Sequence, residues 1–225
     1  MTLPAPQHDP RRLISEPTEV EKRLKDFGMT VEMITRSIEA GDIARRRVMF
    51  PVYPATYAGV TMWAETLAEL RKQLLKAREG YAIGRTGNYE TVYSTARGVA
   101  FAVNAGDANT GIEGKREPRL TRPKGVKTAE RIKRNARMVQ LALIELPEPA
   151  LPADEACETW FLLLRPTESE IRLELSCPRR IGPDGIVDGW HERILLPAVP
   201  IAGAVEPTEP DDGGDDGTGD VLVHR

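Results

Sequence analysis

Cysteine, histidine and aromatic residues are all scarce in this chain, and each shortage removes a class of function. Two cysteines, Cys157 and Cys177, are too few for a disulfide-stapled scaffold and fit a reducing compartment. Of three histidines, His8 and His224 lie near the ends, which leaves His191 alone on its stretch, with no partner in the sequence to make it a general base. No H-E-x-x-H, C-x-x-C or G-x-S-x-G motif and no two-histidine metal spacing occurs, so no zinc site is expected, nor any other metal or cofactor. No apolar run reaches the roughly 18 residues needed to cross a membrane. The polar, proline-rich opening Met1 to Pro10 lacks the charged and apolar regions of a signal peptide, so a bacterial-type cytoplasmic protein is expected. Aromatics are 5% of the residues against 40% hydrophobic in all, so the core must be built mainly from Leu, Ile, Val and Ala.

Charge is present but unevenly placed. Residues 206–220 carry seven acids and no base; without them and Arg225 the chain has 30 Lys+Arg against 27 Asp+Glu. The overall net charge of −3 therefore describes the tail more than the domain. A segment this acidic, with no aromatic residue, cannot bury enough surface to fold, so residues 201–225 read as a disordered acidic tail and residues 1–16 as a flexible arm. Between them, residues 17–200 read as a single domain.

Within that domain the apolar periodicity is first helical, then strand-like. Thr18 and Glu21 have capping-box spacing before Val20, Leu24 and Phe27, with Gly28 as the stop. Thr30 opens a second helix with Val31, Ile34 and Ile38 inward, expected to break near Gly41-Asp42. A third helix over about 61–78 places Trp63, Leu67, Leu70, Leu74 and Leu75 on its inner face. Residues 89–94 and 98–104 alternate around a short turn as a hairpin, followed by a glycine-rich exposed loop over 105–127. A basic helix from Thr128 to about Leu143 would turn Ile132, Ala136, Val139 and Leu143 inward. A rigid connection through Pro147, Pro149 and Pro152 then leads to strands at 159–165, 170–177 and 189–196, the last alternating Trp190, Glu192 and Ile194 with His191, Arg193 and Leu195, with a turn at Pro183-Asp184-Gly185. The fold class is α+β, with N-terminal helices packed on a mostly antiparallel sheet of about five strands.

The hairpin formed by 159–165 and 170–177 has a preferred register. Pairing Trp160, Leu162 and Leu164 with Leu175, Leu173 and Ile171 keeps one apolar face together. A slip by one residue would instead set Cys157 opposite Cys177, so the thiols are expected free, buried and offset.

The strongest functional signal is basic. Lys115, Arg116, Arg119, Arg122, Lys124, Lys127, Arg131, Lys133, Arg134 and Arg137 face only Glu117 and Glu130, a segment charge of +8. A basic loop feeding one basic helix face can follow a phosphate backbone, because each contact releases condensed counterions. Asn135 on the same helix can add a polar contact to a base edge or sugar. No aromatic interleaves these bases, so stacking on single strands is not expected. The acidic tail, tethered to the same chain, is expected to compete for this surface.

Neighbouring near-motifs fail on chemistry. Gly114-Lys115 lacks both the earlier glycine and the following hydroxyl of a phosphate-binding loop. Asp107 and Asn109 begin like a calcium loop, but Gly111 falls one residue early and no closing glutamate follows, so Asn104, Asp107 and Asn109 read as turn formers. Asp107, Asp184, Asp188 and Glu192 keep a hydrolytic or nuclease-like alternative open, provided that at least two converge in one cleft.

Several stretches resemble uncharacterised proteins carried on bacterial integrative and mobile elements. They are Trp63 with Leu70 to Leu74, Arg97 to Asp107 through Gly111, Pro123 to Gly125, Trp160 to Leu164, and Glu174 to Ser176 through Trp190 to Pro197. The resemblance covers about residues 30–197 and implies a bacterial cytoplasmic setting and work near DNA or in conflict between mobile elements and hosts, with no activity to carry over. The sequence therefore leads to a non-enzymatic protein contacting DNA, RNA or another polyanion. A protein-interaction subunit is the alternative from another class.

Overall fold

Three long strands near the carboxyl end alternate or saturate with apolar residues, and they form the centre around which everything else packs. The structure, a computed structural model, describes residues 12–48, 52–114, 116–141 and 151–201, without the side chains of 137–141. Lys115, the side chain of Arg137, the first part of the expected arm, the Pro147–Pro149 connection and the acidic tail from 202 onward lie outside the described residues. The elements are β1 (Arg12–Ile14), α1 (Pro17–Asp26), α2 (Val31–Arg46), α3 (Tyr57–Lys76), β2 (Ala82–Gly84), β3 (Thr91–Ser94), β4 (Val99–Ala105), α4 (Val126–Leu141), β5 (Glu158–Pro166), β6 (Glu170–Ile181) and β7 (Val187–Pro200).

The architecture is α+β, with a mixed sheet of seven strands in the order β1-β7-β6-β5-β4-β3-β2 instead of about five strands. The two strands that the pattern missed, β1 and β2, are three residues each, too short to show a period, and they sit at the two edges. Short edge strands limit edge-to-edge pairing between copies. β1 falls inside the expected flexible arm and pairs in parallel with β7. β4 and β5 are also parallel, joined by a crossover through α4, while the remaining neighbours are antiparallel.

Both faces of the central strands are covered. Val103, Trp160, Leu162, Leu173, Leu175 and Ile194 join the core under α1, α2 and α3. Ala102, Phe161, Leu163 and Trp190 face the other way, with Ile132 of α4 and Leu120. The unbroken apolar run Trp160 to Leu164 is what a strand buried on both sides requires.

Four expectations are corrected. Helix α1 begins with Pro17 at its first turn, where a missing N–H costs nothing, and no side chain caps it, so Thr18 and Glu21 form no capping box. Thr30 does cap α2, accepting from Met33 N at 3.2 Å. The β5–β6 hairpin keeps the expected faces but pairs Leu162 with Leu175 and Leu164 with Leu173. That is two residues from the expected register, because the turn is Glu168-Ser169: Thr167 N donates to Glu170 O at 2.8 Å and its hydroxyl closes the same pair. Strand β7 carries an extra residue opposite Pro178, whose missing N–H breaks the ladder, so Trp190 and Ile194 point to opposite faces.

Gly41 is the fourth. It does not end α2, which continues to Arg46; a Cβ at Gly41 would meet Thr66 Oγ1 and stand 2.8 Å from the Met62 carbonyl oxygen of α3. The glycine is there so that two helices can cross closely. Gly41→Ala is expected to destabilise by about 1–3 kcal/mol through overpacking, seen as a lower urea midpoint at unchanged slope; an unchanged midpoint would show that the helices part freely.

Candidate nucleic-acid interface

The stretch 105–127 was expected to be an exposed loop. Instead its backbone is pinned against the sheet. Gly106 bridges to Leu120, Asp107 N donates to Arg119 O at 2.9 Å, and Thr121 N to Ala105 O at 3.1 Å. Leu120 N donates to Val187 O at 3.0 Å and Lys124 N to Gly185 O at 2.8 Å. Gly185 has φ +74° and a Cβ there would press on Lys124, so the expected 183–185 turn also sets where residues 122–124 run. Deeper in, Glu174 accepts from Gly111 N at 2.9 Å and from Ser176 Oγ at 2.7 Å, and it pairs with Arg193 Nη2 at 2.5 Å. Arg193 donates onward to Ile112 O at 3.2 Å. A buried polar cluster thus holds the loop on the sheet.

Helix α4 presents its bases differently from a free basic face. Arg131 is only 2% exposed; its Nη1 donates to Asp154 O at 2.7 Å and its Nη2 to Asp154 Oδ2 at 3.0 Å, with the guanidinium 4.7 Å from the Tyr89 ring centre. Thr86 Oγ1 also donates to Asp154, at 2.6 Å. Burial raises the Asp154 carboxyl, but the hydrogen bonds from Thr86 and Arg131 outweigh it and hold the group below its ordinary value. Arg134 donates to Glu155 O at 2.5 Å and pairs with the Glu155 carboxylate, and Lys127 pairs with Glu130 at 3.1 Å. Asn135, expected at a base edge, is buried: its amide donates to Thr159 O at 2.8 Å and accepts from Thr159 N at 2.9 Å. Arg131, Arg134 and Asn135 are therefore tied into the fold, since α4 turns this face onto the 152–159 segment.

The other bases stay at the surface. Arg116, Arg119, Arg122, Lys127 and Lys133 are exposed and Lys124 is half-buried. Arg119 reaches Asp184 at 3.4 Å, whereas no ion pair among the described residues engages Arg116, Arg122, Lys124 or Lys133. Arg122 and Lys124 line one wall of a cleft of about 360 Å³, whose other walls are the start of α3 at Val60 and Trp63 and the carboxyl end of β4 at Asn104. Burial and the nearby Arg122 charge push the Lys124 ammonium below its ordinary value.

Trp63, expected in the core, is 38% exposed because Met62, Thr66 and Leu70 take the inner face. Leu75 is likewise exposed. Tyr53 and Tyr57 stack at 4.5 Å beside the same helix start. Of these aromatics Trp63, distant in sequence, lines the same cleft as Arg122 and Lys124. Helical phase puts Trp63, seven residues before Leu70 and eleven before Leu74, on the buried stripe, so no local signal in the sequence marks its exposure.

The four carboxylates of the hydrolytic alternative each have a local partner. Asp107 accepts from Asn109 N at 3.0 Å as a turn former, Asp184 accepts from Ile186 N at 3.0 Å, Asp188 pairs with Arg180 at 3.1 Å and Glu192 with Arg23 at 2.7 Å. Among the described residues no three histidine, cysteine or carboxylate side chains gather as metal ligands. Cys157 and Cys177 are free and buried, and burial pushes the Cys157 thiol up to about 11, away from reactive thiolate. Among the described residues, no helix is long and apolar enough to cross a membrane. No family model, no curated protein and no solved structure matches this chain.

Proposed function

We propose that this protein is a non-enzymatic nucleic-acid-binding protein that contacts the phosphate backbone through the surface of its basic segment. The observation that carries the reading is a set of cations without carboxylate partners among the described residues, Arg116, Arg122, Lys124 and Lys133, two of them in one concave site. Most bases on a protein surface are solvated or paired, and two of these share a cleft with the exposed Trp63, which favours a polyanion with planar groups. The mobile-element setting that the sequence resemblance implies is part of the same proposal, and so is work near DNA. A protein-interaction role draws on the exposed Val52, Tyr53 and Tyr57 and separates from this reading by salt.

Fluorescence anisotropy with random duplex DNA, single-stranded DNA and RNA over a salt series tests it. Binding is expected to weaken linearly on a log–log plot, and Arg116→Ala or Lys133→Ala is expected to reduce the slope by about 1 each. Absence of binding to all three at low salt would falsify it.

A further inference from the structure

The cleft beside α3 holds more than charge. Val103 to Ala105, at the carboxyl end of β4, line it. Opposite the basic wall, Trp63 and Val60 offer apolar surface, both of them exposed. The three chemistries in one cleft are an aromatic plane, an apolar side, and two cations without an opposing carboxylate in the lining.

Those are the parts of a nucleotide in complement. An aromatic face stacks on a base, and two cations take a phosphate. We infer that this cleft binds one unpaired base of a single-stranded nucleic acid, stacked on Trp63, with its phosphate on Arg122 and Lys124. This deepens the binding reading above and rests on it. A strand is favoured over a free nucleotide because the segment that supplies Arg122 and Lys124 also carries the exposed Arg119 and Arg116, a track for further phosphates. A duplex cannot present a base face to Trp63 without unstacking.

Tryptophan emission of the full chain reports the contact, since Trp160 and Trp190 are each 1% exposed and Trp63 alone of the three is open to quenching. Titration with a ten-residue single-stranded DNA is expected to quench that emission. An equal concentration of the matched duplex or of adenosine monophosphate is expected to quench far less. Trp63→Ala is expected to weaken single-strand affinity on the order of tenfold, and Trp63→Phe to restore most of it.

Equal affinity for duplex and single strand, or full saturation by the mononucleotide alone, overturns the single-strand assignment. Unchanged affinity in Trp63→Ala with the salt slope still reduced by Arg116→Ala overturns the cleft while leaving backbone binding in place. Loss of binding by every nucleic acid tested overturns both.

Discussion

Glu174→Ala is expected to destabilise the protein by about 3–5 kcal/mol, the range for breaking a buried ion pair from one side. Glu174 is fully buried in the middle of β6, and its carboxylate accepts from Arg193 through both Nε at 3.1 Å and Nη2 at 2.5 Å, from Ser176 at 2.7 Å and from the Gly111 amide at 2.9 Å. Truncation leaves the Arg193 guanidinium buried without its counter-charge and two further donors unsatisfied. Arg193 also holds Ile112 O, so the 106–114 turn loses both of its side-chain anchors to the sheet together. Replacing the pair by Glu174→Leu with Arg193→Met removes both charges and is expected to cost much less than the single change. Urea unfolding of the two variants measures the difference, and amide exchange at Gly111 and Ile112 reports the loop. Equal costs for the single and double variants would show that the pair is not what holds the loop.

The same cluster shows why the sequence revealed one half of the molecule better than the other. Helix spans and the faces of β5 and β6 follow from periodicity, and Val20, Leu24, Phe27, Ile34 and Ile38 are inward as their spacing requires. The two faces of the sheet were harder to see. Glu174, Ser176 and Arg193 look like the wet side of an alternating strand, and a strand covered on its second face by polar partners has the same pattern as one covered by water. Nothing local distinguishes Arg131 under Asp154 from Lys133 in solvent, because the deciding residue lies beyond a long connection. Long-range pairing also hid the cleft: Trp63 and Arg122 line it together while Thr121 N bonds to Ala105 O at the end of β4 and Lys124 N to Gly185 O. The basic segment was legible as charge; which of its charges remain available was a question of tertiary contacts.

That distinction has a direct consequence at Arg131. Arg131→Ala is expected to destabilise by about 3–5 kcal/mol, because it leaves the buried Asp154 carboxylate with Thr86 as its only remaining side-chain donor among the described residues. Arg131→Lys is expected to fall between, since one ammonium cannot reproduce the fork that reaches both the Asp154 carbonyl and its carboxylate. The pH dependence has a definite sign. Asp154 titrates below its ordinary value in the folded protein, so its stabilising contribution is complete above that ordinary value of 3.8 and is lost as the pH falls through the lower folded value. In the alanine variant the same carboxylate is buried without a cation, and protonation relieves it. The stability gap between the two proteins is therefore widest near neutrality and narrows on acidification, which urea unfolding at a series of pH values measures; a gap independent of pH would remove the ion pair as its cause. Binding separates in the opposite way. Charge reversal across Arg131, Lys133 and Arg134 would unfold the α4 face and abolish binding whether or not α4 touches nucleic acid. Lys133→Ala and Arg116→Ala leave the buried pairs intact, so a reduced salt slope at unchanged stability assigns phosphate contact to the surface bases alone.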